Sequence, residues 1–286
     1  MSSIIMNLLN GLSFGMVLFM LAMGMSITFG VMGILNLAHG SLFMIGGFTL
    51  LSIILAGGSF WWALLVGGLC AGAVGVVMER LFLTRLYRRM DEQVLLTIGI
   101  VYVIENITLW IYGGTAKIVP VPEVLQRAVS LGDFGFPAYR LALIVVGALS
   151  FSFLWWLIEK TKLGSIVRAG MDDKEITLTL GLNYTRICVT VFALGAFLAG
   201  FAGGLGGPVL GLLPFMSMNV LLYAIAVIIV GGPGSVTGTL IGALSIGIID
   251  TFGKIFLPGF AMFTVYLVFV LMLLVRPTGL MGRKGI

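Results

Sequence analysis

Polar side chains that could contact a solute interrupt two otherwise apolar stretches of the chain. One stretch holds Asn36, Ser41 and the only histidine, His39, between small-residue breaks; the other holds Glu105, followed directly by Asn106. If these stretches lie in a membrane, their polar groups must be satisfied by protein or by water. Ionisable groups at that depth are candidates for function. One interpretation is therefore that these five residues line a solute path.

The other interpretation of the same residues is structural. Ser41 would cap the helix that follows, while Asn36 and His39 satisfy loose backbone groups. Glu105 would anchor helices through hydrogen bonds from Asn106, Tyr102 or a neighbouring span. Both interpretations stay open. Metal binding is not expected, because His39 has no second ligand at usable spacing.

The other residue pairs that could do chemistry are interpreted as structural. Asp250 lies four residues before Lys254, and this spacing predicts an ion pair near a helix end. Cys70 and Cys188 lie in apolar segments without the spacing of a metal or redox site, so they are interpreted as small core residues.

Enzymatic chemistry has no support in the sequence. The chain has no GxxxxGK[ST] phosphate loop and no HExxH motif, and it offers no paired catalytic carboxylates and no Ser/His/Asp set that could be assembled on one side. We therefore expect a protein that is not an enzyme and binds no cofactor itself. Any energy for uphill transport must come from an ion gradient or from a separate ATPase. Ion-coupled carriers tend to hold several ionisable groups in the membrane, whereas this chain offers chiefly Glu105, which favours the ATPase.

Composition defines the elements that must position these residues. Of 286 residues, 60% are hydrophobic and only 9% are charged, which excludes a water-soluble core. The 41 glycines suit helices that approach closely in lipid. The sequence therefore predicts an all-α, polytopic transmembrane bundle formed by one domain, 1–286. Because the basic residues lie in short loops, no nucleic-acid partner is expected.

Apolar runs of about 20 residues, one bilayer crossing each, set the predicted span count. Eight to ten spans are predicted, and nine is the simplest count. The glycine-proline break at 231–235 separates two short runs and indicates broken or re-entrant helices at a transport path. A faint echo between residues 38–41 and 232–235 hints at an internal repeat. The predicted spans are 10–30, 41–57, 60–78, 94–112, 140–158, 187–205, 218–231, 238–252 and 261–275.

Charge in the loops predicts the orientation. Twelve of the 16 Lys and Arg residues fall in 79–93, in 159–186 or after residue 275, and the positive-inside rule places these segments in the cytoplasm. Nine crossings then put the N-terminus outside and the C-terminus inside. Segment 113–139, which contains three prolines, is expected to be an ordered external loop or a short surface helix. No cleaved signal peptide is expected.

The segment 160–186 is a charged island that predicts a structured cytoplasmic loop. Asp172 and Asp173 suit the first turn of a short helix, and Gly181 suits its C-terminal cap. An amphipathic helix between two crossings is a surface that a cytoplasmic partner could bind.

Three groups of residues, in this order and spacing, resemble the permease subunits of branched-chain amino-acid ABC importers, the LivH type. The resemblance covers essentially the whole chain. One departure is Thr177, where the family commonly has alanine, and it affects the detailed fit to an ATPase. The matching groups are 11–15 leading through 36–40 to 46–47, then 168–169 through 180–183, and finally 276–282.

The resemblance implies roles and partners. Asn36 and His39 would belong to a broken-helix signature near the translocation path. The segment 168–183 would be a coupling loop that contacts an ATP-binding subunit. The expected complex in a bacterial inner membrane adds a second homologous permease, ATP-binding subunits that carry ATP and Mg, and an external solute-binding protein; it would work by alternating access. The residues of this chain assigned to coupling are Arg168, Ala169, Asp172, Asp173, Gly181 and Asn183.

Other functions stay open on the sequence. A stand-alone channel or ion-coupled carrier would act without nucleotide and would depend on Glu105. A membrane-embedded enzyme lacks its catalytic groups. Within the family, the solute is a branched-chain amino acid, urea, an amide or another small organic molecule, and an external binding protein would do most of the selection.

Overall fold

The computed structural model describes residues 2–33, 35–87, 89–131, 134–172, 183–276 and 279–281. This part of the chain forms ten α-helices and one short β-hairpin, with single 3-10 turns at 83–86, 123–125 and 258–260. The helices are α1 (Ser2–Met32), α2 (His39–Leu55), α3 (Phe60–Leu81), α4 (Met90–Tyr112), α5 (Ala138–Lys160), α6 (Lys162–Asp172), α7 (Tyr184–Leu210), α8 (Ser217–Gly231), α9 (Val236–Phe256) and α10 (Ala261–Val275).

The predicted all-α polytopic bundle is confirmed. Six helices, α1, α3, α4, α5, α7 and α9, are long and apolar enough to cross a membrane. The apolar helices α2, α8 and α10 are shorter, with 17, 15 and 15 residues. At about 1.5 Å per residue each of them is shorter than the roughly 30 Å hydrocarbon core. Every predicted span coincides with one of these nine helices, but three of the nine are too short to cross unaided.

Helix α7 is the centre of the bundle, and α1, α2 and α3 pack around it through glycines. A Cβ built on Gly195 would lie 2.7 Å from the carbonyl oxygen of Gly24. A Cβ built on Gly46 would lie closer still to the carbonyl oxygen of Gly200. Side chains at these positions would separate the helices. In lipid, where apolar burial does not drive helices together, such close backbone contact is the main attraction.

Two glycines end the long helices that precede the short ones. Gly33 follows α1 with a φ of 69°, and Gly211 follows α7 with a φ of 72°. Both donate to the carbonyl four residues earlier, Gly33 to Phe29 at 2.7 Å and Gly211 to Gly207 at 2.9 Å. This left-handed conformation suits glycine at a helix end. The chain then reverses into α2 and α8.

Contacts between α1 and α7 show that these helices are antiparallel. The Tyr184 hydroxyl at the start of α7 donates to the carbonyl of Val31 at 2.7 Å, while Gly206 near its end faces Val17. We call the end of the bundle that carries α6 the α6 end. The opposite end, which carries β1 (Ala128–Leu131) and β2 (Phe134–Pro137), is the hairpin end.

The segment between α4 and α5 is ordered. Of the two predicted alternatives it forms the ordered loop and not the surface helix, with a 3-10 turn at Glu123–Leu125 and an antiparallel hairpin in which Val129 pairs with Phe136. Lys117 and Leu212 exchange two backbone hydrogen bonds of 2.8 and 3.0 Å, which tie this segment to the end of α7. The faint internal repeat also lies elsewhere than the sequence indicated. The non-helical segment before the short helix α2 corresponds to 211–216, which precedes the short helix α8, and not to 232–235.

Close glycine packing makes a prediction about stability. We expect Gly46→Val to destabilise the bundle by about 1–3 kcal/mol, because its side chain meets the Gly200 backbone, which cannot move aside. Gly99→Val on α4 is the matched control, since a Cβ there has open space. Thermal melting of the detergent-solubilised proteins compares the two variants, and equal melting temperatures would contradict this packing.

Candidate functional site

The two short helices α2 and α8 meet at their N-terminal turns. Gly40 packs against the backbone of Ser217, and the Ser41 hydroxyl donates to the Ser217 hydroxyl at 3.2 Å. Both serines are almost fully buried. Helix N-termini present unpaired N–H groups and the positive end of the helix dipole. In α2 several of these groups are paired locally, since the His39 amide donates to the Asn36 carbonyl at 3.2 Å and the Ser41 amide to the Ala38 carbonyl at 3.0 Å. The junction therefore places two helix N-termini, with the positive ends of their dipoles, inside an apolar bundle.

Asn36 and His39 hold the non-helical segment before α2. The Asn36 Oδ1 accepts from the amide of Ala38 at 3.0 Å, and the His39 Nε2 lies 3.0 Å from the carbonyl oxygen of Leu21, in the middle of α1. Both side chains are buried, and the Asn36 Nδ2 has no hydrogen-bond partner among the described residues. The structural interpretation of this pair is confirmed, while solute contact stays a prediction.

The predicted cap is wrong. Ala38 is the N-cap residue of α2 and makes no side-chain capping bond, whereas Ser41 lies inside the first turn and bonds across to α8. The hydroxyl of Ser41 therefore links α2 to α8 and does not cap the N-terminus of α2.

The structure separates the two neighbours on α4. Glu105 is buried with 5% of its surface exposed, whereas Asn106 is exposed and donates to the carbonyl of Tyr102 at 2.8 Å. The predicted anchoring of Glu105 by Asn106 or Tyr102 is therefore wrong. No hydrogen bond or ion pair of Glu105 appears among the described residues.

Glu105 belongs to a buried face of α4 that is mostly polar. Successive turns place Thr97, Val101, Glu105 and Thr108 on this face, with Gln93 at its beginning. An apolar surface covers the opposite side of the helix, with Leu95, Val103, Ile107 and Trp110 exposed. A polar inner face and an apolar outer face are what a helix shows when it lies beside a polar or hydrated interior.

Those residues assigned to coupling that the structure describes lie at the α6 end. Arg168 on α6 donates to the carbonyl of Ile158 and pairs with the Glu159 carboxylate at 3.2 Å, so it ties α6 to the end of α5. Ala169 follows it on the same helix. Asn183 caps α7, because its Oδ1 accepts from the amide of Arg186 at 3.1 Å.

One acidic residue of this segment does not follow the prediction. Asp172 is the last residue of α6, not part of the first turn of a new helix. Asp173 and Gly181 lie outside the described residues.

A buried carboxylate near the α6 end escaped the sequence analysis. Glu79 is completely buried at the end of α3; its Oε1 accepts from the hydroxyl of Tyr87, and its Oε2 has no partner among the described residues. Burial and this hydrogen bond raise the pKa of Tyr87, so the phenol stays a neutral donor. An acid at the end of an apolar run, eight residues before a tyrosine, is the only signal that could have indicated the pair.

One predicted ion pair has a simple outcome. The Asp250–Lys254 ion pair is confirmed, with a distance of 2.6 Å between Nζ and Oδ2. The described residues hold no group of three or more His, Cys, Asp and Glu side chains placed to bind a metal.

The fold and the α2–α8 junction define the class of the protein. Short helices whose N-termini meet inside a membrane bundle are a common way for transporters to build a solute site. Together with the six membrane-spanning helices, this places the chain among multi-pass membrane transport proteins.

Comparison with known sequences defines the family within this class. The chain belongs to the family described as "Branched-chain amino acid transport system / permease component", whose sequence model matches residues 7–276. It is 27% identical to "High-affinity branched-chain amino acid transport system permease protein LivH" of Escherichia coli K12, over 98% of this chain and 96% of that protein. The corresponding protein BraD of Pseudomonas aeruginosa matches with the same identity and coverage.

More distant similarities agree with this assignment. The permease protein LivM of Escherichia coli K12 is 26% identical over 93% of this chain and 68% of LivM. Among solved structures, "PsaBC from Streptococcus pneumoniae in complex with Fab" matches with a TM-score of 0.56 and 11% identity, covering 94% of this chain and 91% of that one. At this identity the match shows a shared fold only.

The buried Glu79–Tyr87 pair makes a prediction about stability. We expect Tyr87→Phe to cost about 1–3 kcal/mol, because it removes a donor from a buried carboxylate. In a Glu79→Leu background the same substitution should cost less, because no carboxylate remains to be satisfied. Chemical unfolding of the four proteins in detergent gives the coupling energy, and a value of zero would show that the two groups act independently.

Proposed function

We propose that this chain is a permease subunit of an ATP-driven importer for branched-chain amino acids. The observation that carries the proposal is the family match over residues 7–276, together with relatives such as LivH and BraD that align over nearly their whole length. The α2–α8 junction supports a transport role, because it supplies polar backbone within the bundle.

The energy source in this proposal is a pair of separate ATP-binding subunits, which hold the ATP and its Mg. Helix α6 suits docking to such subunits. It lies between two crossings, buries Gly164, Val167 and Gly170 toward the bundle, and exposes Lys162 and Leu163. Arg168 braces it against α5, so a force on α6 reaches a membrane-spanning helix directly.

A second permease is the proposed partner within the membrane. LivM, whose name also describes a permease protein, matches this chain at 26% identity, which supports pairing of two related subunits. In this proposal the two subunits form a heterodimer and the solute path lies between them. Alternating access follows if the partners bind its two conformations with different affinities.

The proposed orientation puts the α6 end in the cytoplasm of a bacterial cell and the hairpin end outside. Basic residues support it, since Arg80, Arg85 and Arg89 join Arg168 near the α6 end. The hairpin end would then receive an external solute-binding protein, and the complex would lie in the inner membrane.

The direct test is to purify the tagged chain gently from its native membrane and identify stoichiometric partners. We expect a second permease and ATP-binding subunits. After reconstitution in proteoliposomes with the external binding protein, leucine uptake should require ATP. If the chain is recovered alone and transports without nucleotide, it is a channel or carrier and the proposal is wrong.

Arg168 provides a sharper test of coupling. We expect Arg168→Glu to lower ATP-driven leucine uptake at least about tenfold while ATP hydrolysis continues, because the reversed charge repels Glu159 and frees α6 from α5. Arg89→Glu is the matched control, because it reverses the charge of an exposed ion pair, Arg89–Glu92, outside the residues assigned to coupling. Normal uptake by Arg168→Glu in a correctly assembled complex would exclude a coupling role.

A further inference from the structure

Two cavities near the hairpin end share Lys254 as a lining residue. One, of about 350 Å³, lies between α1, α5, α7 and α9; the other, of about 290 Å³, lies between α8, α9 and α10. Small-molecule sites usually occupy roughly 300–1,000 Å³. The larger cavity, which we call the Arg140 cavity, therefore has room for a small organic solute.

The Arg140 cavity contains a buried carboxylate that can accept further hydrogen bonds. The Asp250 side chain is 3% exposed; it accepts from the Tyr223 hydroxyl at 2.8 Å and from the Lys254 ammonium at 2.6 Å. An ionised carboxylate can accept about four hydrogen bonds. Asp250 can therefore accept from a further donor without losing Lys254.

The same cavity contains a cation that no carboxylate neutralises within the described residues. The half-buried guanidinium of Arg140 donates to the Asn10 side-chain oxygen at 2.7 Å, and no described acid lies within ion-pair distance of it. A guanidinium offers five donors and binds carboxylates through two parallel hydrogen bonds. Most of the donors of Arg140 remain for another anionic group.

Apolar side chains complete the wall of the Arg140 cavity. Val209, Leu210 and Ile255 line it together with Phe14, whose ring meets Tyr223 edge to face at 5.5 Å. A cavity with one acid, one unneutralised cation and an aliphatic wall is complementary to a zwitterion with an apolar side chain.

We propose that the Arg140 cavity binds the main-chain groups of an aliphatic amino acid. Arg140 pairs with the α-carboxylate, Asp250 accepts from the α-ammonium, and the apolar wall contacts the side chain. The inference rests on the proposed function and narrows the solute class, because urea and amides carry neither charge and would leave Arg140 unpaired. At the hairpin end the cavity would hold the solute on one side of the α2–α8 junction.

Binding is tested on the purified permease–ATPase complex in nanodiscs, without the external binding protein. Saturation-transfer NMR with leucine as the probe detects millimolar binding. We expect a leucine signal from the wild-type complex that falls about tenfold or more in Arg140→Gln and in Asp250→Asn, since each removes a charge-assisted hydrogen bond. Arg127→Gln, the same change at an exposed site of the hairpin end, should keep the signal.

Two further measurements test whether the signal depends on the charge of Arg140 and on both charged groups of leucine. Arg140→Lys retains the charge but not the paired donors, so it should restore part of the signal, which separates charge from misfolding. On the wild-type complex, isoamylamine lacks the carboxylate and 4-methylvalerate lacks the ammonium, so each should bind about tenfold more weakly than leucine. An unchanged signal in Arg140→Gln, equal binding of either analogue, or no leucine signal from the wild type would overturn the proposal.

Uptake by wild-type proteoliposomes distinguishes failure of the cavity from failure of the function. ATP-driven leucine uptake without binding in the cavity would overturn this inference and leave the proposed function intact. Uptake of urea but not of leucine would overturn the proposed function itself.

Discussion

Close backbone contact around α7 is the constraint on which the rest of the structure depends. Lipid is as apolar as the helices, so association relies on packing and on hydrogen bonds between helices. Glycines let α1, α2 and α3 reach the α7 backbone, as at Gly24–Gly195 and Gly46–Gly200. Because α8 follows α7 through the turn at Gly211, the position of α7 also fixes where α8 begins. Close packing at these glycines therefore fixes the position of the α2–α8 junction.

The junction itself is an arrangement of backbone more than of side chains. Gly33 and Gly211 reverse the chain after two long antiparallel helices, and each reversal starts a short helix. Asn36 and His39 satisfy backbone groups on the way. Serine hydroxyls then join the two helix starts. An apolar bundle thus acquires two helix N-termini in its interior with few polar side chains, which explains why so little of the site is visible as a motif.

Sequence periodicity and charge predicted the helices well and the site only in part. Long apolar runs fix spans because the bilayer thickness fixes their length, and the pair Asp250–Lys254 follows from helix geometry alone. Hydrogen-bond partners that are distant in the sequence cannot be predicted in this way. Nothing near Ser41 in the sequence indicates Ser217, and nothing near Asp250 indicates Tyr223. Glu79 was missed for the same reason, since its donor Tyr87 reaches it only after the chain turns. Glu105 was found because an acid in an apolar run is conspicuous wherever it points.

Helices α8 and α9 join the two ends of the bundle physically. At the α6 end, the Met171 side chain of α6 lies against Gly30 and Gly234, and the Gly234 amide donates to the Ser26 hydroxyl at 2.9 Å. The loop that contains Gly234 connects α8 to α9, and these two helices meet again at the hairpin end through Tyr223 and Asp250. A displacement of α6 must therefore move this loop or open a gap beside two glycines that have no side chain to fill it. Coupling requires two discrete arrangements that the partners bind with different affinities. The glycine contacts favour two arrangements, because tightly packed backbones either stay in register or separate, and intermediate spacings lose the packing that holds them.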